Sequence, residues 1–567
     1  MTFFIRPLVL AATVSALAFF PFVSKGNAEG LAGSYLAASQ ANFDNNYEEA
    51  ARYYTRALVQ DPENLGLMQN ALLAILAKGD VDQGVAIARR MESLGAESQL
   101  AQLVLLAEDI RKGDFTKANE YFEKGNEFSP LLDGLVQGWI FLGMGQMSDA
   151  LARFDKMAEN NAMKVFSSYH KALALAVVGD FEAAEEIFKG ENGQPVRIGR
   201  GSLVAHIRIL SQLERNDEAQ AMADAALVGS GDLEILDLRD RLANGETLAF
   251  DFITNATQGT AEVFLTLATV LAGEENDRFG LIYGRLTEFL QADSVSAILL
   301  VADLLNDQGQ YDLAVRNYNK VPSDHPLFYS AEIGRAESLQ SADKIDAAIE
   351  VLRGLAKTHK TILNVHTSLG DALRRQSRFA EATEAYDAAI NLLPEPQSNH
   401  WFLYYARGIT YEREGDWDKG EADFRFALEL SPDQPLVLNY LGYGLVEKRI
   451  KLEEAQQMIE TAVQKRPNDG YITDSLGWVL YRVGKFEEAV APLERAIELM
   501  PVDPIINDHL GDAYWMVGRK LEAAFQWKRA LSFDPEEKDA DRIRQKLEVG
   551  LDEVLKIEAE ANGTNDN

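Results

Sequence analysis

GYITDSLGWVLYRVGKFEEAVAPLERAIELMPVD (residues 470–503) is followed at once by PIINDHLGDAYWMVGRKLEAAFQWKRALSFDPEE (residues 504–537), and the two align without a gap at an offset of 34 residues. Leu476-Gly477 becomes Leu510-Gly511, and Gly484 becomes Gly518. Ala489 becomes Ala523, Leu493 becomes Trp527, Ala496 becomes Ala530 and Pro501 becomes Pro535. Small, large and proline positions therefore recur in the same order.

The pattern has a physical reading. Each unit predicts two antiparallel helices, the first from about Tyr471 to Val483 and the second from Phe486 to Leu499. Leu476, Leu480, Phe486 and Leu493 fill the space between them at helical spacing. Gly477, Ala489 and Ala496 fall where the backbones approach most closely, so only small side chains fit. Gly484 supplies the left-handed residue that closes the first helix, and Pro501 stops the second. One such hairpin cannot bury its own apolar stripe, so neighbours must stack.

A self-match at this period with this residue order resembles the tetratricopeptide repeat (TPR). The resemblance implies an all-α superhelical TPR solenoid. Working outward, weaker copies run through most of the chain, as in NNYEEAARYYTRALVQDP (45–62) and around Gly309/Tyr311/Ala314/Tyr318. The reading assigns residues 29–228 to an N-terminal array and 229–260 to an irregular junction. Residues 261–537 form a C-terminal array, giving thirteen or fourteen hairpins in all. Residues 538–557 read as one capping helix, with Ile543, Leu547, Leu551 and Val554 on one face, and 558–567 as a disordered tail.

Residues 1–28 read as a secretory signal peptide. Arg6 is the positive start, Leu8 to Phe20 the apolar run, and Gly26-Asn27-Ala28 the small-x-small cleavage site. The other reading is an uncleaved anchor, but the run is short for a span and Pro7 and Pro21 bracket it. No acceptor Cys follows it, so the chain is not expected to be a lipoprotein. The chain has no Cys at all, compatible with an oxidising compartment. The expected location is the periplasm, with no membrane span in the mature chain.

Composition narrows the partners. The formal charge is −33 over 567 residues, which argues against nucleic acid and anionic membranes. Among seven His, none stands at metal-ligand spacing with a second ligand, and His509 in NDHLGD reads as a surface repeat residue. No GxSxG, P-loop or GxGxxG is present. The chain reads as a non-enzyme with no cofactor and no metal.

What is left is surface. In a TPR array the first helix of each hairpin lines the concave face. There the C-terminal array offers Arg375, Tyr405, Asn439, Tyr443, Asp474, Trp478, Tyr481, Arg482, Asp508 and Trp515. Aromatics interleaved with Asn, Asp and Arg suit a peptide groove: rings supply area at low entropy cost and amides grip a backbone. Packing between neighbouring repeats is the other reading of Trp478 and Trp515. Asp474 and Asp508 stand where a carboxylate clamp of the Hsp90-binding type would need Lys or Asn. If this face is not the site, the N-terminal array before Gly229 comes next.

Residues 471–531 also resemble the C-terminal end of a family of long bacterial envelope TPR proteins. One lipoprotein member of that family is the adaptor of a carboxyl-terminal processing protease. The resemblance implies a protein-binding scaffold or adaptor, with a periplasmic protease and its substrates as partners in cell-wall turnover. An assembly scaffold for polysaccharide or outer-membrane machinery is the alternative. The absent lipid-acceptor Cys departs from that lipoprotein member.

Overall fold

The computed structural model describes residues 30–190, 195–228, 232–273 and 277–563. The expected signal peptide lies outside them. Regular structure among the described residues is helical throughout. None of these helices is long and apolar enough to cross a membrane.

Local chemistry sets the helix ends. Many helices start on an Asn, Asp or Ser whose side chain accepts a backbone N–H of the first turn, as Asn64 does from Leu67 and Asp114 from Lys117. In the clean repeats Gly484 and Gly518 close the first helix, each at φ 83°. Ser377 and Arg449 occupy the same repeat position and adopt φ 56° without being Gly. The left-handed closure thus outlives the glycine that advertises it.

The helices form two compact units, one ending at Ala342 and the other beginning at Asp343. The first opens with hairpins from Leu31–Phe43 to Asn216–Leu227. The stretch expected as a junction contains helix Leu233–Ala243, which packs on Asn216–Leu227, and the start of helix Ala256–Leu271. That helix and its partner Asp277–Leu290 turn back onto the first helices of the array: Leu65–Lys78, Gln99–Arg111, Pro130–Gly143 and Lys164–Val177. The array curls around its own downstream hairpin.

Specific contacts fix this return. Gly259 lies flat on the Trp139 ring, where a Cβ would collide. The buried Arg285 donates from Nε to the Ala77 carbonyl (3.3 Å) and from Nη2 to that of Lys78 (3.4 Å), at the C-terminus of Leu65–Lys78. Its Nη1 reaches Asn317 Oδ1 and Glu288 Oε2, each at 2.8 Å. The Tyr169 hydroxyl donates to Glu262 Oε1 (2.8 Å), and the Arg111 guanidinium lies 3.8 Å from the centre of the Phe289 ring. Further along, Tyr47 donates to Gln308 Oε1 at 2.7 Å.

The second unit runs from Ile345–Thr358 through five hairpins, whose first helices are Leu363–Arg375, Trp401–Arg413, Pro435–Glu447, Gly470–Arg482 and Pro504–Met516. The close approaches fall where the repeat demands them. A Cβ on Gly477 would strike Leu493 and the Ala489 carbonyl, and one on Gly511 would strike the Trp527 indole. Ala489, Leu493 and Ala496 are fully buried. The end differs from the single capping helix expected. Gly550, at φ 86°, breaks it into Glu537–Val549 and Leu551–Gly563, and Trp515 packs where a Gly550 side chain would stand. Residues 558–563, assigned to a disordered tail, belong to the second of these helices.

Candidate partner-binding surface

The 34-residue period stacks equivalent residues in columns along the first helices of the second unit. Three positions before the tight glycine stand Tyr405, Asn439, Asp474, Asp508 and Arg542. One position after it stand Ile409, Tyr443, Trp478, Asp512 and Lys546. Each column changes character along the unit, and with it the fate of its polar groups.

Downstream, the columns are satisfied within the chain. Lys546, fully buried, donates to Asp512 Oδ1 (2.6 Å) and Asp508 Oδ2 (2.8 Å). Arg542 adds Asp512 at 3.5 Å and Glu558 at 2.7 Å. The Trp527 indole donates to the same Asp512 (3.0 Å). One repeat back, His509 pairs with Asp474 at 3.0 Å and stacks on Trp478, centroids 3.9 Å apart. Burial opposes the charged imidazole. The Asp474 charge and hydrogen bond outweigh it, with Asp508 and Asp512 adding, so the His509 pKa is raised. This corrects the reading of His509 as a surface residue: it is buried because the next first helix lays it on the Trp478 ring.

Trp478 also stacks on Tyr481 at 4.9 Å and donates to Glu447 Oε1 at 2.6 Å, and Arg482 approaches the same carboxylate at 3.4 Å. Trp515 donates to Asp552 (3.0 Å) and lies 5.4 Å from Trp527. Asp474, Trp478 and Tyr481 are thus buried, and Arg482, Asp508 and Trp515 half-buried, in contacts between successive repeats.

Upstream, the same columns are open. Asn439 Oδ1 is buried with no hydrogen-bond partner among the described residues. Tyr443, one turn on, is half-buried, and its hydroxyl has no partner among the described residues. Burial, then the charges of Glu447 and Asp474, raise its pKa. Among the described residues the Tyr405 hydroxyl likewise has no partner, and its ring lies 5.8 Å from Tyr440 at 89°. Arg375, one repeat earlier, is exposed. Beside Tyr443 a cavity of about 410 Å³ opens among Glu412, Trp417, Tyr440 and Glu447. Arg413 and Lys448 stand at its rim, with Lys448 5.0 Å over the Trp417 ring.

Asp512 stands on the face that the sequence reading offers with Asp508 and Trp515, but that reading missed Lys546 and Arg542, which close the downstream half, and Trp417, which walls the cavity. The signal for the first group was present: Arg542 and Lys546 stand 34 residues after Asp508 and Asp512. No group of three His, Asp or Glu among the described residues is placed to hold a metal ion.

Comparison with known proteins agrees with the repeat reading. The tetratricopeptide repeat family matches residues 36–66, 333–399 and 475–537. TPR repeat-containing protein PA4667 of Pseudomonas aeruginosa is 28% identical over 159 residues, 28% of this chain and 26% of that protein. Tetratricopeptide repeat protein 13 of Homo sapiens is 26% identical over 178 residues, 30% of this chain and 20% of that protein. Protein O-mannosyl-transferase TMTC1 of Homo sapiens is 24% identical over 173 residues, 30% of this chain and 20% of that protein. The matched segments thus span about a quarter or less of each relative. Among solved structures, the APC/C hetero-tetramer Cut9-Hcn1 is similar at 14% identity and TM-score 0.39, over 81% of this chain and 98% of that one.

Proposed function

We propose that this tetratricopeptide-repeat protein is a scaffold that binds a protein or peptide in the upstream half of the second unit's concave face. The carrying observation is the Tyr443 hydroxyl, unpaired among the described residues, on the wall of the cavity it shares with Trp417, Tyr440 and Glu447. A phenol left without a partner on a cavity wall can donate to a carbonyl of a bound chain. The rings of Trp417 and Tyr440 supply rigid contact area around it.

The finer reading is an exported adaptor that presents substrates to a carboxyl-terminal processing protease. It rests on the resemblance of residues 471–531 and on the leader-like residues 1–28. On that reading the periplasmic form begins at Glu29, and intact Met1 on membrane-bound protein would refute export with cleavage.

The test is an Asn439→Ala/Tyr443→Ala variant beside wild type, titrated against the partner recovered from the periplasmic fraction. Anchors of this kind contribute ~2 kcal/mol or more each, so loss of both should lower affinity by on the order of a thousandfold, with little change in melting temperature. Unchanged affinity would remove the site from this groove.

A further inference from the structure

A second cavity lies in the first unit, outside the groove just described. It measures about 490 Å³ and opens where helix Pro130–Gly143 begins and helix Met147–Ala158 ends. Phe128, Met157 and Met163 give it apolar walls, and Arg153 and Lys156 line it as well.

Arg153 is the unusual member. It is half-buried, and its Nε is buried without a hydrogen-bond partner. Among the described residues neither Arg153 nor Lys156 forms an ion pair. Other half-buried guanidiniums of this acidic chain are paired: Arg200 with Asp232 and Glu234, Arg407 with Asp387 and Asp423. The carboxylates beside Arg153 are committed elsewhere or solvated. Asp133 accepts the backbone N–H groups of Phe128 and Ser129 at 3.1–3.4 Å. Glu127 is exposed. Burial is the main influence raising the Asp133 pKa, and the Arg153 charge is the weakest of those acting on it.

We infer that this cavity is a binding site for a carboxylate carried next to an apolar side chain, with Arg153 as its anchor. The planar guanidinium fork matches a carboxylate, and Lys156 adds a mobile charge. Phe128, Met157 and Met163 receive the apolar neighbour; Met adapts readily to varied shapes. A leucine-like C-terminal residue has this chemistry, and so does an Asp beside an apolar residue within a chain. The site stands independently of the groove around Asn439.

The experiment is methyl NMR of the full chain labelled at methionine, with Met157 and Met163 assigned through Met157→Leu and Met163→Leu. The probes are N-acetyl-leucine, N-acetyl-leucinamide and N-acetyl-leucyl-aspartic acid α-amide, whose side-chain carboxylate is free. We expect saturable shifts of both methyls with N-acetyl-leucine, roughly tenfold weaker binding of the amide, and loss of that preference in Arg153→Gln. Arg153→Lys should retain part of it, which separates lost charge from lost packing. A stronger response to the aspartyl α-amide than to N-acetyl-leucine would assign the site to internal acidic residues. Equal responses to acid and amide, no response, or a preference undiminished in Arg153→Gln would overturn the inference.

Discussion

The two units build their inner faces from the same kind of hairpin and treat them oppositely. In the first unit the first helices are covered by helices Ala256–Leu271 and Asp277–Leu290, which place Gly259 on Trp139 and Arg285 on the carbonyls of Ala77 and Lys78. In the second unit the equivalent face is covered only downstream, where Lys546 and His509 answer Asp512, Asp508 and Asp474. Upstream it stays open around Asn439 and Tyr443. A repeat pattern prescribes how one hairpin stacks on the next, but not what the resulting concavity holds. In the N-terminal array, the returning hairpin covers the first helices Leu65–Lys78, Gln99–Arg111, Pro130–Gly143 and Lys164–Val177.

The contrast can be attacked first at its most tightly closed point. Lys546→Met would leave Asp508 and Asp512 facing each other without their buried cation. Breaking a buried pair in this way costs about 3–5 kcal/mol, and in a nearest-neighbour array the loss should concentrate near the C-terminus. Hydrogen exchange should show opening from about residue 504 onward, with the first unit unchanged. Uniform loosening of both units would mean that the downstream closure is not local.

Next comes the filling of the first unit. Gly259→Ala would push a methyl into the Trp139 ring and cost ~1–3 kcal/mol by overpacking. Gly354→Ala, on helix Ile345–Thr358 with open space around it, should instead stabilise by about 0.5–1 kcal/mol, the ordinary helical preference for Ala. Denaturant unfolding of the two variants reads the sign directly. Stabilisation by both would show that the returning hairpin is not seated on Trp139.

The smallest effect is a pH dependence. Burial raises the Glu262 carboxyl to about 7, against the lowering effect of the Tyr169 hydrogen bond. A carboxyl whose folded pKa lies above its unfolded one binds more protons when folded, so it favours folding at low pH. That advantage is lost as pH rises from about 4 through 7. Glu262→Gln should therefore stabilise the first unit by on the order of 1–2 kcal/mol above pH 7 and change little near pH 4. Melting curves across that range should converge at the acid end, and parallel curves would place Glu262 in solvent.

The sequence by itself determined the hairpins. Gly477 against Leu493, Gly511 against Trp527 and Gly484 at the helix end are local demands repeated at fixed spacing, so the 34-residue period carries them openly. It also carried the column of residues from Tyr405 to Trp515. Tertiary structure decided which of those side chains the chain's own contacts claim. Asp474, Trp478 and Asp508 are claimed by His509, Glu447 and Lys546, residues of a neighbouring repeat or of the end cap, whereas among the described residues nothing pairs with Asn439 Oδ1 or the Tyr443 hydroxyl. It also decided that Ala256–Leu290 would return to the first array, because that contact joins segments more than a hundred residues apart through one-off matches such as Gly259 on Trp139. Periodicity records what every repeat shares; burial of a particular groove depends on pairs that occur once.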